Sequence, residues 1–261
     1  MVDLLTRFWD RFAGAAERLA ASRFAAVPRA PARFGPLQLL GLAVMAGLTG
    51  ALYWGLNTYW ETNWLAAEDG LSEWGTVGMY LVGVPLAAFI SLRLWRSGHR
   101  RMALFYCAIA VVLLTAVLEE ISWGQRVFDW ETPEALAEVN FQDETTVHNI
   151  PIFDRAVNGA FALASLLGLV GIAARIALHR RGVVTTLDLL LPPVLLAAPF
   201  FMILALTGIG EPFRDLMGLL GLRPVGGETA EVLSGVCVVV FLMAVIRGPL
   251  PLSTGGSADS T

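Results

Sequence analysis

The run Glu119-Glu120-Ile121-Ser122-Trp123-Gly124-Gln125-Arg126 places two carboxylates, an indole, an amide and a guanidinium side by side. Further along, Asn140-Phe141-Gln142-Asp143-Glu144-Thr145-Thr146-Val147-His148-Asn149 adds more carboxylates, three carboxamides and an imidazole. On a helix, Glu119, Trp123 and Arg126 share a face, whereas Glu120 points about 100° away. Glu144 and His148 are four residues apart, so a helical stretch would let both reach one point, as metal ligands do. Carboxylates with one imidazole suit zinc, manganese or iron. The resulting expectation is a divalent metal held by Glu120, Glu144 and His148, with Glu119, Glu120 and His148 as general acids and bases. Trp123, Gln125, Arg126 and Asn149 would contact substrate, Arg126 by gripping an anionic headgroup. Glu73 and Glu228 would stand behind the ligands.

What must position these residues is a set of apolar segments. The chain has 261 residues, 56% hydrophobic and only 15% charged. A hydrocarbon core roughly 30 Å thick needs about 20 apolar residues at 1.5 Å each. Runs of that kind occur at 37–57, 76–92, 102–118, 156–174, 189–206 and 232–246. The expected fold is therefore all-α, a polytopic transmembrane bundle of about six helices. Pro192, Pro193 and Pro199 leave the start of the fifth run uncertain, although membrane spans tolerate proline.

All 18 basic residues are arginine, and their placement sets the expected topology. Fourteen fall in the N-terminal segment, the second and fourth connections and beyond the last run, leaving Arg126, Arg155, Arg214 and Arg223 on the other side. Both termini are then expected in the cytoplasm of a bacterial inner-membrane protein, with the long 119–155 connection in the periplasm. Residues 1–35 carry charges throughout and lack an apolar core, so the first span is expected to serve as its own uncleaved signal. Cys107 and Cys237 fall inside spans at different depths, so no disulfide is expected.

Counting from the cytoplasmic arginines gives depth. Glu119 and Glu120 lie about 28 Å beyond Arg101, Glu73 about 30 Å before Arg93, and Glu231 about 24 Å before Arg247, with Glu228 one turn further out. Separate segments thus bring acids to one level, the inner edge of the periplasmic interface. An ionised carboxylate there costs a few kcal/mol unless it is paired or bound to a cation.

The Glu-Glu-Ile-Ser-Trp-Gly-Gln-Arg run, the following Asn-x-Gln-x-Glu and His-Asn, and the Glu68-Asp69-Gly70 and Glu73-Trp74 stretch resemble a family of bacterial multipass membrane proteins of uncharacterised activity. The resemblance spans roughly residues 60–155 and implies a membrane fold, but no reaction. A fainter likeness to alkaline-ceramidase-like hydrolases lacks their Ser-x-x-x-His and His-x-x-x-His zinc motifs.

Residues 1–35 read as a cytoplasmic amphipathic helix followed by a proline-rich connector, 36–248 as the transmembrane domain, and 249–261 as a disordered cytoplasmic tail. On the helix, Leu4, Leu5, Phe8, Trp9, Phe12, Ala16 and Leu19 fall on one arc beside an Arg7, Arg11, Arg18 stripe, the pattern of an interfacial helix on an anionic leaflet. The alternative is a helix docked on a partner subunit. In the 119–155 connection Thr132 reads as an N-cap and Pro133 as the first helical residue. Ala160, Ala164 and Gly168 suggest a close helix contact. His99 and His179 sit among arginines and read as surface residues.

Absence of lysine removes a Walker phosphate site, and no G-x-S-x-G elbow exists for a serine hydrolase. No span carries a midplane charge, which argues against an ion-coupled transporter. One periplasmic histidine cannot supply two axial haem ligands. The remaining expectation is metal-assisted hydrolysis or transfer on a lipid or lipid-linked substrate, with membrane lipids as partners and no nucleic acid. The alternative is a non-catalytic subunit or assembly factor that docks a partner membrane subunit through its acidic periplasmic loop. In that account the charges are ion pairs fixing the loop, and the tryptophans form the interfacial belt.

Overall fold

A computed structural model describes residues 2–23, 36–59, 70–140, 144–147, 149–209 and 227–248. Among these, regular structure is helical and no strand occurs. The elements are α1 (Val2–Arg23), α2 (Pro36–Tyr59), α3 (Leu71–Arg96), α4 (Arg100–Glu120), the short α5 (Gln125–Phe128) and α6 (Glu134–Ala137), α7 (Pro151–Arg180), α8 (Ala197–Leu204) and α9 (Gly227–Arg247). Five of them, α2, α3, α4, α7 and α9, carry stretches of 19 to 30 residues long and apolar enough to cross a membrane. The connector after α1, the connections 60–69 and 210–226, and the tail after 248 lie outside the described residues.

The expected fifth span is the one that departs from the sequence reading. Instead of a regular helix over 189–206, the chain makes a 3-10 turn at Thr186–Leu189, a second at Val194–Leu196, the eight-residue α8, and a π turn at Ala205–Ile209. Proline accounts for this. Pro192 and Pro193 lack a backbone donor and push Leu191 and Pro192, the residues before them, toward extended backbone, and Pro193 starts the second 3-10 turn at φ −69°, ψ 149°. The helical stretch that remains, Val194–Gly208, is shorter than the other five. Broken backbone within a membrane needs partners for its carbonyls. Arg175 Nη1 donates to Leu191 O at 2.5 Å, and the Tyr106 hydroxyl donates to Leu189 O.

Two cores hold the bundle. Tyr80, Ala87, Ile90 and Leu94 of α3 pack with Ala103, Tyr106, Leu113 and Val117 of α4 and Leu242 and Val245 of α9. Ile172 of α7, Ile203 of α8 and Leu233 and Cys237 of α9 form the second core, capped by Leu196. Helix α7 meets α8 at Gly168, where a Cβ would stand 2.7 Å from Phe200 Cε2. That close approach matches the expectation for Gly168 but not for Ala160 and Ala164, which are exposed. The contact follows Ser165, Gly168 and Ile172 instead, because the broken α8 crosses nearer the middle of α7.

Helix α1 forms as expected, and one of its edges is docked on this chain. Ala13 and Ala20 are buried, and Ala20 packs with Leu178, Leu187 and Leu191. Glu17 Oε2 accepts from Arg181 Nη1 at 2.8 Å. His179 is likewise not a surface residue. Its Nε2 lies 2.8 Å from Asp188 Oδ1, with Arg175 Nε 3.8 Å from the same oxygen. The 184–189 segment folds inward beneath the end of α7, which carries Asp188 to the histidine. Cys107 and Cys237 are both free thiols.

Candidate functional site

Helix α4 ends at Glu120, and the chain then reverses sharply. Ser122, Trp123 and Gly124 follow one another at φ 51°, 55° and 98°, and Asp129 adds φ 55°. Left-handed backbone costs a non-glycine residue about 1–2 kcal/mol, so three such residues need surrounding contacts to hold them. A side chain at Gly124 would be strained by its φ of 98° and would crowd the rings of Trp130 and Phe128, at 3.0 and 3.2 Å from a Cβ.

Those contacts come from the expected site residues. Glu119 Oε1 accepts the Trp123 indole N–H at 2.6 Å, and its Oε2 accepts the Val147 backbone N–H at 2.9 Å. Gln125 Nε2 donates to Thr132 Oγ1 at 2.8 Å while its Oε1 accepts the Thr145 N–H at 2.7 Å. Buried Asn140 donates from Nδ2 to the carbonyls of Glu144 and Thr146, both at 2.8 Å. Asn149 Nδ2 donates to Glu144 Oε2 at 3.1 Å. Glu119, Trp123, Gln125, Glu144 and Asn149 thus fold the 121–150 connection onto itself and onto the end of α4. Thr132 is engaged by Gln125 rather than capping a helix. The cap of α6 is Pro133, at extended φ −56°, ψ 134°, one residue later than expected.

Glu120 belongs to a different neighbourhood. Its carboxylate and that of Glu231 on α9 both act electrostatically on the buried hydroxyl of Tyr80 on α3. Tyr80 Oη meets Ser234 Oγ at 2.5 Å, and Ser234 donates to the Glu231 carbonyl at 2.7 Å. Tyr80 is therefore the donor to Ser234. Two turns toward the N-terminal end of α3, Glu73 is only 9% exposed, and Thr76 between them is buried. Ser122 Oγ and Thr229 Oγ1, each next but one to one of these acids, are buried without a hydrogen-bond partner among the described residues. Glu120 of α4 and Glu231 of α9 thus bear on the Tyr80 hydroxyl of α3, while Glu73 lies buried two turns before Tyr80 on the same helix.

Carboxylates gathered at a low-dielectric edge either share a proton or bind a cation. Tyr80 offers a phenolic donor and acceptor among them. Among the described residues, no group of three or more His, Cys, Asp or Glu side chains is arranged to hold a metal ion. His148, the third ligand of the expected Glu120, Glu144, His148 set, lies outside the described residues, as do the side chains of Arg126 and Glu228.

Tyr80 and Ser234 escaped the sequence reading. The spacing of Glu73, Thr76 and Tyr80, which repeats one helix face, was the available signal. The Arg175, His179, Asp188 cluster at the opposite end of the bundle was also missed, though Arg175 and His179 sit four apart on α7. Asp188 is 8% exposed, and its Oδ2 has no hydrogen-bond partner among the described residues. Comparison with family models, with curated proteins and with solved structures returns no match, so these residues must speak for themselves.

Proposed function

We propose that this is a multipass protein of the bacterial inner membrane whose outer-side acids act on a lipid or lipid-linked substrate by metal-assisted hydrolysis or transfer. The observation that carries the reading is the Tyr80 hydroxyl of α3 meeting Ser234 Oγ of α9 at 2.5 Å, within electrostatic reach of Glu231 and Glu120. In this reading Glu120 is the base or cation ligand, Glu73 and Glu231 complete the negative field, and Tyr80 supplies a proton donor. Glu119 holds the folded connection against the end of α4 through the Val147 amide. The periplasmic placement rests on the arginine distribution, since Arg93, Arg96, Arg100 and Arg101 mark the other ends of α3 and α4. The test compares the lipid profile of a strain carrying Glu120→Gln with those of the wild type and a deletion, together with the metal content of the purified proteins. Accumulation of one lipid class in both mutants supports the reading. A normal profile in the Glu120→Gln strain sinks it.

One observation favours the alternative of a non-catalytic subunit. The folded connection presents Val127, Phe128, Trp123 and Trp130 outward, Phe128 at 72% exposure, beside the exposed acids Asp129, Glu131, Glu134 and Glu138. An apolar patch rimmed by one sign of charge suits a partner protein. Under that reading Phe128→Ser, not Glu120→Gln, reproduces the deletion phenotype.

A further inference from the structure

Helix α1 displays three faces, one of which is docked on the end of α7. At about 100° per residue, Ala13, Ala16 and Ala20 form the edge docked on the end of α7. Roughly a third of a turn round, Phe8 and Leu19 point away from the protein, 67% and 53% exposed. Between these apolar residues and the acids Asp10 and Glu17 runs the exposed stripe Arg7, Arg11, Arg18. Gly14 sits within that stripe, one turn from Arg11 and one from Arg18. Arg181, at the C-terminal end of α7, reaches over the same glycine. The position a Cβ on Gly14 would occupy is 3.5 Å from Arg18 Nη1 and 3.8 Å from Arg181 Nη1. Two guanidinium groups from separate elements therefore flank a gap in the α1 surface that the missing side chain leaves open. Glu17 holds one nitrogen of Arg181, and Arg181 Nη2 lies 3.5 Å from the Asp10 carbonyl, so the arginine is fixed in place.

We propose that this cradle binds the phosphate of an anionic phospholipid in the leaflet facing α1, which the arginine distribution makes the cytoplasmic one. Guanidinium pairs match phosphate oxygens in charge and geometry. Phe8 and Leu19, across the arginine stripe from Gly14, give the acyl chains an apolar surface, which a free anion would not need. The site is independent of the acids at the other end of the bundle.

The experiment titrates full-length protein in neutral detergent with phosphatidylglycerol, with phosphatidylcholine and with inorganic phosphate, counting bound lipid by native mass spectrometry. Phosphatidylglycerol is expected to be retained in preference to phosphatidylcholine, and millimolar phosphate to leave it in place. Each arginine near an anionic headgroup contributes about a factor of five in affinity. Arg18→Gln should therefore weaken phosphatidylglycerol retention about fivefold, leaving the Glu17–Arg181 bridge that pins α1 intact. Gly14→Leu, which fills the gap without changing charge, should weaken it as well, while Arg101→Gln at the start of α4 should not. Equal retention of the two lipids overturns the proposal. So does displacement by phosphate alone, or a preference that survives both Arg18→Gln and Gly14→Leu.

Discussion

Glu119 and Glu120 are neighbours in sequence with opposite expected roles, and replacing each in turn separates them. Glu119→Ala removes the acceptor of the Trp123 indole N–H at 2.6 Å and of the Val147 N–H at 2.9 Å. Hydrogen bonds to a charged group contribute about 1.5–3 kcal/mol each, but Glu119 is partly solvated and water replaces some of that. A net cost of about 2 kcal/mol follows, concentrated on the connection because the spanning helices share no other part of these bonds. The connection also stores left-handed strain at Ser122, Trp123 and Asp129, so losing its staple favours local opening. Two kcal/mol corresponds to roughly a thirtyfold faster exchange of the Val147 amide, read by hydrogen exchange with mass spectrometry in nanodiscs. Amides of α3, α4 and α9 should be unaffected. Glu120→Gln should do the reverse, leaving loop exchange unchanged while altering the lipid profile. If Glu119→Ala leaves Val147 protected, or Glu120→Gln loosens the loop, the division of labour between the two acids is wrong.

Four further outcomes follow from the packing. Gly168→Ala places a methyl 2.7 Å from the Phe200 ring and should cost about 1–3 kcal/mol, seen as a lower thermal midpoint in detergent. Asp188→Ala removes the carboxylate that faces His179 and Arg175 and should cost about 1–3 kcal/mol, whereas His179→Gln, which keeps a donor toward Asp188, should cost less; the order of the two midpoints checks this. Deleting residues 1–25 should leave the spans inserted but lower the thermal midpoint, because Ala20 packs on Leu178, Leu187 and Leu191; an unchanged midpoint would show the docking to be inconsequential. Reporters fused after Gly70 or Glu134 should read periplasmic and those after Ser97 or Gly182 cytoplasmic, and a cytoplasmic signal at Glu134 would reverse the topology.

The spans were legible because a hydrocarbon core imposes a length and a composition on any helix that crosses it, and α2, α3, α4, α7 and α9 meet both. The fifth run satisfies composition but not geometry. Its prolines were visible, yet what they allow depends on partners: Tyr106 on α4 and Arg175 on α7 take up the carbonyls they expose. No local reading of residues 189–206 contains those two side chains. The same limit applies to α1. A helical wheel sorts its residues into faces, but which face meets protein is decided by Leu178, Leu187 and Leu191, far along the chain. His179 looked like a surface residue for that reason, since Asp188 reaches it only after the chain turns at Gly182 and folds inward.

The acids show where depth counting succeeds and where it stops. Counting from the flanking arginines put Glu73, Glu120 and Glu231 at one expected level, because rise per residue is nearly constant along a helix. It could not assign direction around the helix axis, since that requires knowing which neighbour lies on which side. Glu119 and Glu120 stand at the same depth but about 100° apart. That step sends one to the Val147 amide and the other toward Tyr80. The residue that unites the cluster is not charged at all. Tyr80 was hidden in an apolar run, where an aromatic ring ordinarily means packing, and only the approach of Ser234 and Glu231 from α9 gives its hydroxyl a role. The chemistry proposed here therefore resides in the registry of α3, α4 and α9. A substitution that slides this registry without touching an acid, such as Gly83→Leu against Leu113 Cδ1 at 2.8 Å, should disturb the lipid profile much as Glu120→Gln does. A normal profile in that variant, despite a shifted thermal midpoint, would show that the three acids do not need one another.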